Sequence, residues 1–131
     1  MSDAIEQMVR EAYAAFGRGD FDGYMSACTD DWAFHVPGNC RASGDYQGRD
    51  GLMQIVATVG AVAGASFRED VHDVVANDTH AIMLAQHSFE RDGQPHQYNT
   101  VHVYHLRDGK LAECWECPAD HLAFEAAWGP K

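Results

Sequence analysis

Three turn signals, Asn77-Asp78, Asp92-Gly93 and Asp108-Gly109, divide the second half of the chain into extended segments rich in Val, Ile, Phe and Tyr. Four strands joined as a meander are expected from Phe67 onward. The first half has a different period. Ile5, Met8, Val9, Ala12 and Phe16 recur at helical spacing behind Asp3 and Glu6, which read as a capping box, and this helix stops at Gly17 to Gly19. Asp20 is the next N-cap candidate, with Phe21, Tyr24, Met25 and Cys28 as the stripe of one short helix. Trp32 to Val36 reads as a strand closed by Pro37-Gly38, and the stretch to Gly48 reads as loop. Leu52, Ile55, Val56 and Val59 mark a third helix, weakened at its end by Gly60 and Gly64. His121 to Trp128 has helical character but at that length needs tertiary support. Helices first and strands afterwards argue for an α+β domain whose helices cover one face of an antiparallel sheet.

The 131 residues suit one domain, 1–131, with a core of its own. The longest apolar run, Ile55 to Ala65, is interrupted by glycine and is far short of the roughly 20 residues a membrane span needs. The start, MSDAIEQMVREAY, lacks the basic and apolar regions of an export signal, so a cytoplasmic location and no membrane partner are expected. Nine Lys and Arg against 20 Asp and Glu give a net charge of -11, which repels a phosphate backbone and argues against nucleic acid. Cys28, Cys40, Cys114 and Cys117 are expected to be reduced thiols.

Phe16 to Tyr24 (FGRGDFDGY), Trp32 to Asp50 (WAFHVPG with YQGRD behind it) and Val101 to Glu116 (VHVYHLRDGKLAECWE) together resemble the SnoaL-like family of the nuclear-transport-factor-2-like (NTF2-like) superfamily. The DGK turn followed by a Trp-acid pair is the most specific part. The resemblance implies a cone in which a strongly curved antiparallel sheet wraps the N-terminal helices around an open-ended apolar pocket. It also implies a dimer formed through the sheet. Carried over by position, the catalytic tyrosine of ketosteroid isomerase falls at Ala12, beside Tyr13, and its general base near Val36, so steroid isomerisation by that mechanism is disfavoured. The polyketide cyclases match better: their catalytic histidine and aspartate fall at His102 and Glu116.

Side chains alternate across a strand, so His102, Tyr104 and Leu106 share one face, as do Ala112, Cys114 and Glu116. The turn decides whether the two sets meet. A two-residue Asp108-Gly109 turn pairs His102 with Trp115, whereas a three-residue Arg107-Asp108-Gly109 loop pairs it with Cys114; the resemblance favours the second. A two-residue Asp92-Gly93 turn sets His87 opposite Tyr98 on the face of His102. His35 is expected to anchor the Pro37-Gly38 loop. Trp32, Phe34, Val36, Ile55 and Val59 are expected as core or pocket wall, with Tyr13, His87, Tyr104 and Cys114 as further ligand contacts. Glu116 has the alternative reading of a solvated carboxylate, and His102 that of a satisfied core residue.

Cys114-Trp-Glu-Cys117 with His121 invites a zinc or redox reading. On an extended strand, however, the two sulfurs point to opposite faces with α-carbons roughly 10 Å apart, so no metal is expected. Nor is a nucleotide cofactor, because GDYQGRDG lacks the spacing of a phosphate loop. The expected function is cofactor-free acid-base chemistry on a small, largely apolar carbonyl compound, of isomerase or aldol-cyclase type. Glu116 would take a proton from beside the carbonyl, its pKa raised by desolvation, and His102 would stabilise the enolate. The other reading is a non-catalytic carrier using the same pocket.

Overall fold

The computed structural model describes residues 2–131. Helices α1 (Ser2–Gly17) and α2 (Phe21–Ser26) come first, then strands β1 (Cys28–Val36) and β2 (Gly44–Gln47), then α3 (Gly48–Ala63) and a 3-10 turn (Gly64–Ser66). Strands β3 (Arg68–Ala76), β4 (His80–Arg91), β5 (Gln94–Arg107) and β6 (Lys110–Pro118) follow as a meander, and α4 (His121–Trp128) ends the chain. The strands form one curved sheet in the order β2-β1-β6-β5-β4-β3.

The sheet is mixed, because β1 lies parallel to β6 while every other neighbouring pair is antiparallel. The meander fixes antiparallel neighbours through short turns, but β1 meets β6 from across the chain, where no turn dictates direction. The stretch expected as loop before Gly48 holds β2, four residues paired with Ala33 to Val36. Its side chains are mostly exposed, so no apolar alternation marks it. Asp3 lies inside α1, in its first turn and not at a cap, where its charge still suits the helix N-terminus. Asp20 does cap α2, accepting from the Gly23 amide.

At Asp92-Gly93 and Asp108-Gly109 all four residues have positive φ, 54°, 79°, 52° and 75°, as a two-residue type I′ hairpin turn requires. The last turn is therefore two residues long, not three. The register shift lies inside β6 instead: Leu106 pairs with Leu111 but His105 pairs with Glu113, which leaves Ala112 bulged. A second bulge at His72 shifts β3, where Asp73 pairs with Leu84 but Val71 pairs with Ala85.

The helices cover the concave face, with α1 against β3 and β4 and α3 against β1 and β2. Trp32, Met83, Tyr104, Leu111 and Phe124 are the largest of the fully buried side chains. The eight-residue α4 gains its tertiary support from Phe124 edge-on to Tyr98, 5.2 Å between ring centroids, and Trp128 against Phe89 at 4.5 Å. Asp120 caps its start, and the Arg91 guanidinium donates to the Ala126 and Ala127 carbonyls at its end. Among the described residues no helix is long and apolar enough to cross a membrane.

Candidate functional site

The concave face encloses a cavity of about 70 Å³, room for several waters or for a compact molecule that displaces them. Trp32, Phe34 and Val36 line it from β1, Ile55 and Val59 from α3, and Tyr13 from α1. His87 enters from β4, His102 and Tyr104 from β5, and Cys114 and Glu116 from β6. The residues singled out in the sequence as catalytic or ligand-contacting thus surround one space.

His102 and Glu116 are direct cross-strand partners, since the Ala112 bulge moves the register past both expected alternatives, and Cys114 faces Tyr104 instead. Glu116 is 7 % exposed and His102 6 %, which removes the solvated reading of Glu116. His102 Nε2 stands 3.6 Å from Glu116 Oε1, beyond hydrogen-bond length, and is buried with no other partner. Its Nδ1 bonds the Tyr13 hydroxyl at 2.6 Å. Tyr13 in turn bonds Tyr104, which bonds Tyr24 at 2.8 Å. Burial pushes all three hydroxyls well above their usual pKa, so they stay protonated and form a relay whose direction sets the His102 tautomer. The tyrosine that reaches the site is Tyr13, one residue beyond Ala12.

His87 faces Tyr98, as a two-residue turn requires, and its Nδ1 bonds the Tyr98 hydroxyl at 2.9 Å. Its Nε2 bonds Glu69 Oε2 at 2.6 Å, and Glu116 Oε2 lies 3.7 Å from its Nδ1. Burial opposes charge on His87, but the charge of Glu69, its hydrogen bond and the charge of Glu116 outweigh that, and the imidazole pKa is raised. Burial likewise opposes ionisation of Glu116. His102, His87 and a 2.9 Å hydrogen bond from Thr100 overcome it, so the Glu116 pKa is lowered. The expected rise by desolvation is not met: Glu116 is held as a carboxylate.

Glu69, Thr100 and Tyr98 were not legible as site residues. An unbroken β3–β4 ladder from the Asn77-Asp78 turn would set Glu69 opposite Ser88; the His72 bulge sets it opposite His87 and turns it inward. His35 lies on the convex face, bonding Asp45 and Glu113 at 2.7 Å each, so it ties β1 to β2 and β6 and does not hold the Pro37-Gly38 loop. Cys114 is buried and Cys117 exposed, on opposite faces of β6. Among the described residues two buried side-chain polar atoms lack a hydrogen-bond partner, His102 Nε2 and Trp32 Nε1, and both residues line the cavity.

The uncharacterized protein Rv0034 of Mycobacterium tuberculosis (strain H37Rv) is 26% identical over 127 residues, 96% of this chain and 97% of that protein. Among solved structures, Bal32a from a soil-derived mobile gene cassette superposes with a TM-score of 0.86 at 25% identity, covering 94% of this chain and 95% of its own. An NTF2-like protein of unknown function from Burkholderia pseudomallei K96243 gives 0.82 at 21% identity, covering 93% and 95%. Residues 9–114 match the SnoaL-like domain, and with the curved sheet and helix-lined cavity on the NTF2-like plan, the chain belongs to the SnoaL-like family.

Proposed function

We propose that this chain is an acid-base enzyme acting on a small, largely apolar carbonyl compound, by isomerase or aldol-cyclase chemistry that needs no organic cofactor. The observation that carries the reading is the pair of unsatisfied buried polar atoms in a cavity walled mainly by aromatic and aliphatic side chains, with Glu116 beside them. A buried donor or acceptor left without a partner costs about 1–3 kcal/mol, and a ligand oxygen beside it relieves that cost. Trp32 Nε1 can only donate. His102 Nε2 donates when the Tyr13 hydroxyl donates its hydrogen bond to Nδ1, so the imidazole N–H is available to an enolate oxygen. Glu116, ionised beside it, takes the proton from the carbon next to the carbonyl.

The lowered Glu116 pKa favours a second reading, because a carboxylate held charged by its neighbours is a weak base. On that reading the pocket only carries the same class of molecule. A panel of small cyclic ketones and 1,3-dicarbonyl compounds, followed by NMR in D2O, separates the two. Binding with enzyme-dependent exchange of α-protons supports the enzyme, and binding without exchange supports the carrier.

We also propose a homodimer through the convex face of the sheet. Ile82, Leu84, Val101, Val103 and Trp115 form a partly exposed apolar stripe there, whereas strands wet on one side alternate more cleanly between apolar and polar residues.

A further inference from the structure

Two carboxylates and two imidazoles converge in the cavity from four different positions on the sheet. One donor atom from each of Glu69, His87 and His102 lies within 4.8 Å of the other two. The Glu116 carboxylate adjoins this group, its Oε1 3.6 Å from His102 Nε2 and its Oε2 3.7 Å from His87 Nδ1. All four side chains are at most 10% exposed. We propose that Glu69, His87 and His102, with Glu116 adjoining, form a binding site for one divalent first-row transition-metal ion.

The donor atoms are imidazole nitrogens and carboxylate oxygens, a set suited to ions such as zinc, cobalt or iron(II) and not to ions that demand thiolates. The orientations of both imidazoles and of Glu116 are already fixed by partners behind them, as metal ligands require. His102 Nδ1 can donate to Tyr13, whose hydroxyl then donates to Tyr104, and this leaves a lone pair on Nε2, the buried atom that has no partner. His87 Nδ1 can donate to Tyr98, which also accepts from Trp128 Nε1 at 2.8 Å, so its Nε2 faces Glu69. Thr100 holds the Glu116 oxygen turned away from His102. Charge points the same way. Two buried carboxylates, Glu69 and Glu116, both face His87, and one divalent cation would offset them as a protonated imidazole does.

The donors come from three separate strands and are brought together by the His72 bulge and the β4–β5 pairing, so no spacing in the sequence announces them. The expectation of a metal-free chain weighed only Cys114, Cys117 and His121. The ion site does not rest on the acid-base reading. The reaction uses His102 Nε2 as an N–H and the ion uses it as a lone pair, so the loaded and empty chains are alternative states of one pocket.

The test uses the full chain, stripped by dialysis against a chelator and titrated with Co2+ or Zn2+ alone. The expected result is one ion per chain, with visible Co2+ absorption from inner-sphere ligands. His102→Gln and Glu69→Gln should abolish stoichiometric binding. Tyr13→Phe, which keeps the ring but removes the hydroxyl behind His102 together with its bond to Tyr104, should weaken binding by about 10–100-fold. Replacing the exposed His80 and His105 together by Ala should leave it unchanged. Failure of the stripped chain to take up an ion overturns the proposal, as does binding that survives His102→Gln or is lost with His80 and His105. Because the readout is the ion itself, a failed search for turnover does not affect it.

Discussion

His102 and Glu116 oppose each other across β5 and β6 because Ala112 is an extra residue in β6. Continued without that bulge, the register of the Asp108-Gly109 hairpin would set Trp115 opposite His102 and turn Glu116 to the convex face. The bulge at His72 does the same for Glu69 and His87. Two single-residue irregularities therefore place both acids of the site.

The opposed shifts of His87 and Glu116 predict a stability maximum in mild acid. The His87 pKa is raised above its ordinary 6.5, so its contribution is complete below about 6.5 and is lost as pH rises through the folded value. The Glu116 pKa is lowered below its ordinary 4.5, so its contribution is present above about 4.5 and is lost as pH falls through the folded value. Tm should peak between those limits. His87→Gln should flatten the decline on the neutral side, leaving the slope from His35, which its hydrogen bond to Asp45 raises in the same direction. An unchanged neutral-side slope in His87→Gln would show that the pair does not titrate as described.

Helix α4 should be held by packing and not by its own propensity. Phe124 is wholly buried, so Phe124→Ala is expected to cost about 3–5 kcal/mol in urea unfolding. Arg91→Ala removes two hydrogen bonds to the end of the helix and should cost less, about 1–3 kcal/mol. Equal losses would contradict this ordering.

The order of the helices and of the meander strands, the positions of the two Asp-Gly turns and the apolar wall were legible, because local periodicity and turn chemistry settle them, but the length of the Asp108-Gly109 turn was misjudged. Tyr13, Phe34 and His87 follow from alternation or helical spacing once the faces are known. The remainder depends on contacts distant in the chain. Nothing local announces that β1 runs parallel to β6, and β2 is too short and exposed to carry a pattern. The bulges at His72 and Ala112 leave no residue-type signal, so Glu69 was missed and the register of Glu116 was misplaced. The direction of the Glu116 shift was misjudged as well: desolvation follows from burial, but the opposing groups, His102 first and then His87 and Thr100, come from other strands.

Dimerisation is expected to depend on the convex stripe. Light scattering at micromolar concentration should give twice the monomer mass for the native chain and the monomer mass for Val103→Asp, whose side chain lies outside the cavity. A monomeric native chain would refute the proposed interface.

The acid-base unit formed by Glu116 and His102 is tested most directly by α-proton exchange, measured on a carbonyl probe that the native chain binds and exchanges. Glu116→Gln keeps the shape and the hydrogen bond from Thr100 but removes the base, so exchange should fall by about 10²–10⁴-fold with binding retained. His102→Ala should lose rate too. The double variant should be little worse than the poorer single one, because the two residues act together. Full exchange in Glu116→Gln would contradict the assignment.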